Sequence, residues 1–150
     1  MDILADTNIL LRRIDRGSPQ HREARDAVSR LSKNGYRFCV ASQNIIELWA
    51  VCTRPVDNNG LGLSPMHVER ILDRIQRSVT HLPDSDAVYA EWHRLVSSHE
   101  VLGKKTHEAR LVAAMNVNRV SHILTFNSDD FNRYAGIQVL HPDEVLAYTT

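Results

Sequence analysis

A chain of 150 residues with 43% apolar side chains is long enough to bury one good core, and no Pro-, Gly- or Ser-rich stretch divides it. Eighteen basic and eighteen acidic side chains cancel, so no global charge announces a polyanion partner and any nucleic-acid surface has to be local. The sequence opens without a basic leader and long apolar stretch, and nowhere do about 18 apolar residues run together, which argues against export or membrane insertion and for a cytoplasmic setting.

Residues 2–6 read as a short buried strand, apolar without alternation, as in a parallel sheet covered on both faces. Ser18-Pro19 starts a helix whose apolar stripe is Ala24, Val28 and Leu31 and which Asn34-Gly35 ends. Tyr36 to Ala41 is the second strand. Ser42 caps the next helix, which runs to about Arg54 before Pro55 stops it, and the turn-rich loop Asp57-Asn58-Asn59-Gly60-Leu61-Gly62 follows. Ser64-Pro65 repeats the helix-start signal, with Val68, Ile71, Leu72 and Ile75 at helical spacing. A short apolar step at His81-Leu82 precedes Pro83 and a helix over roughly Ser85 to Ser98. Thr106 caps a helix over residues 107 to about 117, Ser121 to Phe126 and Ile137 to Leu140 are strands, and Pro142 begins a terminal helix. Strands separated by helical crossovers predict an α/β fold with a mainly parallel sheet, in which ligands bind beyond the carboxyl ends of the strands. Trp49 and Trp92 read as core residues.

Cys39 and Cys52 lie in apolar runs and read as buried reduced thiols. With scattered histidines they offer no zinc spacing. Four acidic positions, in contrast, stand against apolar elements. Asp6 lies between Ile3-Leu4-Ala5 and Ile9-Leu10-Leu11, and Glu47 is the only charge from Ile45 to Cys52. Glu108 opens Glu108-Ala109-Arg110-Leu111-Val112-Ala113, and Asp129-Asp130 follow Ile123-Leu124-Thr125-Phe126-Asn127. A carboxylate so placed has to be paired, hydrogen-bonded or bound to a metal. Each acid has a plainer role open to it: Asp6 as a turn cap with Thr7 and Asn8, Glu47 as a partner for Arg54, Glu108 as a complement to a helix dipole, Asp129 and Asp130 as turn residues. Together they suggest one acidic pocket, where divalent cations about 4 Å apart can activate water for phosphodiester hydrolysis. Gly103-Lys104-Lys105-Thr106 lacks the glycine and hydroxyl spacing of a phosphate loop and reads as a basic loop, with Lys104 and Lys105 available to phosphate.

In this order and spacing, Asp6-Thr7-Asn8, Gln43-Asn44-Ile45-Ile46-Glu47-Leu48-Trp49, His107-Glu108-Ala109-Arg110-Leu111-Val112-Ala113 and Thr125-Phe126-Asn127-Ser128-Asp129-Asp130-Phe131 resemble the PIN domain family, in particular its VapC-type toxin ribonucleases. Thr53-Arg54-Pro55 with Asn59-Gly60-Leu61-Gly62 is similar to a bacterial branch of it. The resemblance spans essentially the whole chain and implies a single three-layer α/β/α domain over residues 1–150. It implies an endoribonuclease in which Mg²⁺ or Mn²⁺ activates water for attack on phosphorus. Asp6 is then a direct ligand, Glu47 coordinates metal or orients water, Glu108 adds a ligand and Asp130 completes the cluster. Thr7, Asn8, Thr125 and Asn127 line it, with Lys104 and Lys105 toward the substrate. A toxin role further implies a cognate antitoxin, whose peptide covers the acidic groove, and a homodimer.

One departure stands out: the family usually has Asp where this chain has Glu108, and the extra methylene moves the carboxylate by roughly 1.5 Å on a fixed backbone. It motivates a second function, a PIN-like module that binds RNA or protein without cutting. A third, an aspartyl-nucleophile phosphohydrolase at Asp6, meets Asn8 where those enzymes carry a second acid.

Overall fold

Ile3, Leu4 and Ala5 are at most 2% exposed and form β1 (Asp2–Ala5), the middle strand of a five-stranded sheet. The computed structural model describes residues 1–147; Tyr148–Thr150, the end of the expected 1–150 domain, lie outside the described residues. The other strands are β2 (Arg37–Ala41), β3 (Thr80–Leu82), β4 (His122–Leu124) and β5 (Gln138–Leu140). The order is β3-β2-β1-β4-β5, and every pairing is parallel, with Leu4 opposite Cys39 on one side and Ile123 on the other.

Helices α1 (Thr7–Ile14), α2 (His21–Lys33), α3 (Ser42–Thr53), α4 (Pro65–Ser78), α5 (Asp86–Ser98), α6 (Lys105–Val117) and α7 (Pro142–Ala147) cover both faces. Alternation along the strands sorts the core into two layers. Ile3, Ala5, Phe38, Val40 and Leu124 pack with Ile9 of α1, Val28 of α2, Leu48 of α3 and Val68 of α4. Leu4, Cys39, Ala41 and Ile123 pack with Leu95 of α5 and Val112 and Met115 of α6. This is the expected three-layer α/β/α arrangement. Cys39 and Cys52 are buried free thiols, burial pushing Cys39 up to about 12.

Several boundaries differ from the sequence expectation. The first strand ends at Ala5, and Thr7–Ile14 is a helix that the apolar run concealed. Ser64 caps α4 as expected, its hydroxyl accepting from the His67 N–H at 3.2 Å. Ser42 is instead the first residue of α3, and the Ala41 N–H is taken by the side-chain oxygen of Asn44 at 2.8 Å. Thr106 lies inside α6 and donates back to the Gly103 carbonyl at 2.8 Å, because Gly103, at φ +56°, turns the chain early. The strand expected over 121–126 narrows to His122–Leu124. Trp49 and Trp92 are half-buried against the two core layers, and the Trp92 indole N–H donates to the Thr106 carbonyl at 2.9 Å.

The crossovers run from β1 through β2 to β3 and then return across β1 to β4. The strand order therefore reverses between β1 and β4, the switch point where such sheets open a crevice at their carboxyl edge.

Candidate metal centre

Asp6 leaves β1 at this switch point and caps α1. Its N–H donates to the Leu124 carbonyl at 3.1 Å, fastening it to the end of β4. One carboxylate oxygen accepts the Thr7 N–H at 2.8 Å; the other accepts the Thr125 hydroxyl at 2.7 Å and the Asn8 amide at 3.3 Å. Asp6 is 8% exposed, and its burial pushes the carboxyl up to about 6. The Thr125 and Thr7 donors oppose that rise, and the charges of Glu47 and Glu108 add to it.

Glu47 enters from α3 with a donor on each oxygen: Gln43 Nε2 at 2.8 Å on Oε1 and the Thr7 hydroxyl at 2.9 Å on Oε2. Glu108, in the first turn of α6, is held above its ordinary range by burial, reinforced by the charges of Asp130 and Glu47 and opposed by its own N–H and by His107. Its Oε2 is buried without a hydrogen-bond partner. Asp130 ends the 3₁₀ turn Ser128–Asp130, whose Asp130 N–H bonds the Asn127 carbonyl at 3.1 Å.

A cavity of about 380 Å³ gathers Asp6, Glu47, Glu108 and Asp130, with Thr7, Asn8 and Asn127 on its wall. Four acids from four separate segments thus face one space. Thr125 does not reach the wall; fully buried, it acts through Asp6 and Asn8. Lys104 and Lys105 are exposed at the start of α6 and do not line the cavity, so they do not belong to the site's wall. The wall carries Arg12 and Arg54 instead. Arg12 carries no signal in the sequence, because the apolar run hides α1, whereas Arg54 stands in the Thr53-Arg54-Pro55 motif. For Gln43 the sequence offers one signal, its position one turn before Glu47.

The donor set suits a hard divalent cation: carboxylate oxygens in one small space, one of them buried and unpartnered. Among the described residues the four acids do not bring three ligand oxygens within 4.8 Å of one another. Glu23, His141 and Asp143, outside the cavity, do meet that spacing. No spacing in the sequence marks this trio.

The PIN domain pattern matches residues 3–137. The chain belongs to the PIN domain family. Solved structures with this PIN fold include VapBC2 from Rickettsia felis bound to a promoter DNA fragment, with a TM-score of 0.69, 13% identity, and coverage of 94% of this chain and 98% of that one. VapBC-1 from nontypeable Haemophilus influenzae has a TM-score of 0.70 and 13% identity, covering 95% and 99%. Mycobacterium tuberculosis VapC20, described as a sarcin-ricin loop cleaving toxin, has a TM-score of 0.62 and 16% identity, covering 91% and 98%. No curated protein matches this PIN domain chain. No helix of its described residues is long and apolar enough to cross a membrane.

Proposed function

We propose that this chain is a metal-dependent endoribonuclease, the toxin of a toxin–antitoxin pair. The observation that carries the reading is the convergence of Asp6, Glu47, Glu108 and Asp130 on one cavity at the carboxyl edge of a PIN fold. The structural neighbours described as VapBC support the toxin role and an antitoxin partner; a homodimer and a cytoplasmic setting belong to the same proposal.

Asp6, Glu47, Glu108 and Asp130 would hold Mg²⁺ or Mn²⁺. A divalent cation bound there polarises a phosphoryl oxygen and makes water a stronger acid. The chain's own residues supply orientation. Thr125, Asn8 and the Thr7 N–H fix the Asp6 carboxylate, while Gln43 and Thr7 fix that of Glu47. Arg12 and Arg54 on the wall offer cations to the phosphates flanking the scissile bond.

The test is cleavage of a mixed cellular RNA pool by purified protein with Mg²⁺ or Mn²⁺, beside EDTA and Asp6→Asn. Cutting that requires metal and is lost in Asp6→Asn supports the nuclease. Native protein that binds RNA, neither binds Mn²⁺ nor cuts, and gains cleavage on Glu108→Asp substitution would instead mark a binding module that has lost its activity.

A further inference from the structure

Gln43 is the second residue of α3 and is 7% exposed. Burying a neutral amide this deeply is costly unless its hydrogens find acceptors. They find two: Nε2 donates to Glu47 Oε1 at 2.8 Å and to the His107 carbonyl at 2.9 Å. The first acceptor is a candidate ligand one turn along the same helix. The second belongs to the planar peptide unit that links His107 to Glu108, the candidate ligand on α6. A single amide nitrogen therefore joins one acidic residue to the backbone that leads into the other, from distant parts of the chain.

The rest of the network makes this bridge one-sided. The other oxygen of Glu47 is held by the Thr7 hydroxyl at 2.9 Å, which in turn accepts from Asn44 Nδ2 at 3.2 Å. Thr7 and Asn44 thus tie Glu47 to α1 and α3, whereas Gln43 also ties it to the start of α6. The Gln43 side-chain oxygen is buried and unpartnered, so the amide's hydrogen bonding to described groups is concentrated on that nitrogen. Glu108 carries its own unpartnered buried oxygen, Oε2.

We infer that Gln43 is a positioning residue that sets the separation and orientation of Glu47 and Glu108, and through them the affinity of the cavity for a divalent cation. This rests on the reading of the cavity as a cation site. The chemistry requires glutamine in particular. Asparagine is shorter by one methylene, roughly 1.5 Å, and does not span both acceptors. Methionine keeps the length and flexibility but supplies no donor. Groups that orient ligands from behind typically alter metal affinity by about 10- to 100-fold when replaced.

The experiment compares native protein with Gln43→Met and Gln43→Asn, using Mn²⁺ alone as the probe. Mn²⁺ affinity is measured by electron paramagnetic resonance without RNA, melting temperature without metal, and kcat and KM for RNA cleavage with Mn²⁺. Both variants are expected to weaken Mn²⁺ at least tenfold and to lower kcat, with KM for RNA within about twofold of native. If Gln43→Met melts early, Gln43→Asn, which keeps an amide in the buried site, decides. Native Mn²⁺ affinity in either folded variant overturns the inference, as does a loss that only follows falling melting temperature. Native protein that neither binds Mn²⁺ nor cleaves RNA overturns the nuclease reading itself, and the inference with it.

Discussion

The Thr125 hydroxyl donates to Asp6 Oδ2 at 2.7 Å across 119 residues of sequence, joining the exit of β4 to the exit of β1. The same hydroxyl oxygen accepts the Asn127 N–H at 3.0 Å, so it also fixes the turn that leads to Asp130. Thr125→Val keeps the shape and removes the hydroxyl. Hydrogen bonds to charged groups contribute about 1.5–3 kcal/mol, and a loss of that order is expected in urea denaturation at pH 7. Mn²⁺ affinity should fall about tenfold, and Thr125→Ser should recover most of both. A valine variant of native stability would show that the neighbouring donors suffice.

Glu108 is expected to trade stability for binding. Its half-buried carboxyl feels the charges of Asp130 and Glu47 and has one buried oxygen unpartnered, an arrangement that burdens the folded chain in the absence of a cation. Glu108→Gln removes the charge at nearly constant volume. The metal-free variant should gain about 0.5–2 kcal/mol in denaturant unfolding, the range typical of relieved functional sites, while its Mn²⁺ affinity drops at least tenfold. A variant both less stable and unchanged in metal binding would assign Glu108 a purely structural role.

The chain displays some of this openly and conceals the rest. Uninterrupted apolarity marks β1, and Ser64-Pro65 marks the start of α4, because both signals are local. Helix α1 is hidden in the sequence because Ile9-Leu10-Leu11 continues the apolarity of the strand and the break between them is Asp6 itself, acting as cap. The acids were visible singly as charges among apolar neighbours. Their meeting depends on the return of the chain across β1 to β4, which no local pattern encodes; the family resemblance supplied that step. Lys104 and Lys105 are the complementary case: their charge is legible in the sequence, their place outside the cavity wall is not.

The loop after α3 rests on a close approach at Gly60. A Cβ there would lie 2.0 Å from the Arg54 carbonyl oxygen and 2.4 Å from its carbon, both backbone atoms. Arg54 lines the acidic cavity, and its carbonyl also accepts the Gly62 N–H at 2.8 Å. Gly60→Ala therefore has to displace the loop, at a cost of about 1–3 kcal/mol, and should reduce RNA cleavage by moving Arg54. Gly17→Ala is the control, since its added carbon meets only Asp15 Oδ1 at 3.5 Å. Equal melting temperatures for the two variants would contradict the close approach.

Glu23 confers a pH dependence that is separable from the cavity. Burial, then the hydrogen bond and charge of Asp143, push its carboxyl from the ordinary 4.5 up to about 7. His141 faces the same pair, its Nδ1 3.7 Å from Asp143 Oδ2 and accepting the Asp143 N–H at 3.0 Å. Between pH 4.5 and 7 the folded state retains the proton on Glu23 and the unfolded chain releases it, so the folded state binds more protons. This group's contribution is therefore fully present below pH 4.5 and is lost as the pH rises through about 7. Glu23→Gln keeps the volume and a donor toward Asp143 but cannot titrate. Its stability relative to native should climb across that window and level off above it, as read from urea midpoints at half-unit pH intervals without metal. Parallel pH profiles for native and variant would mean that the Glu23 carboxyl titrates in the folded chain as it does in the unfolded one.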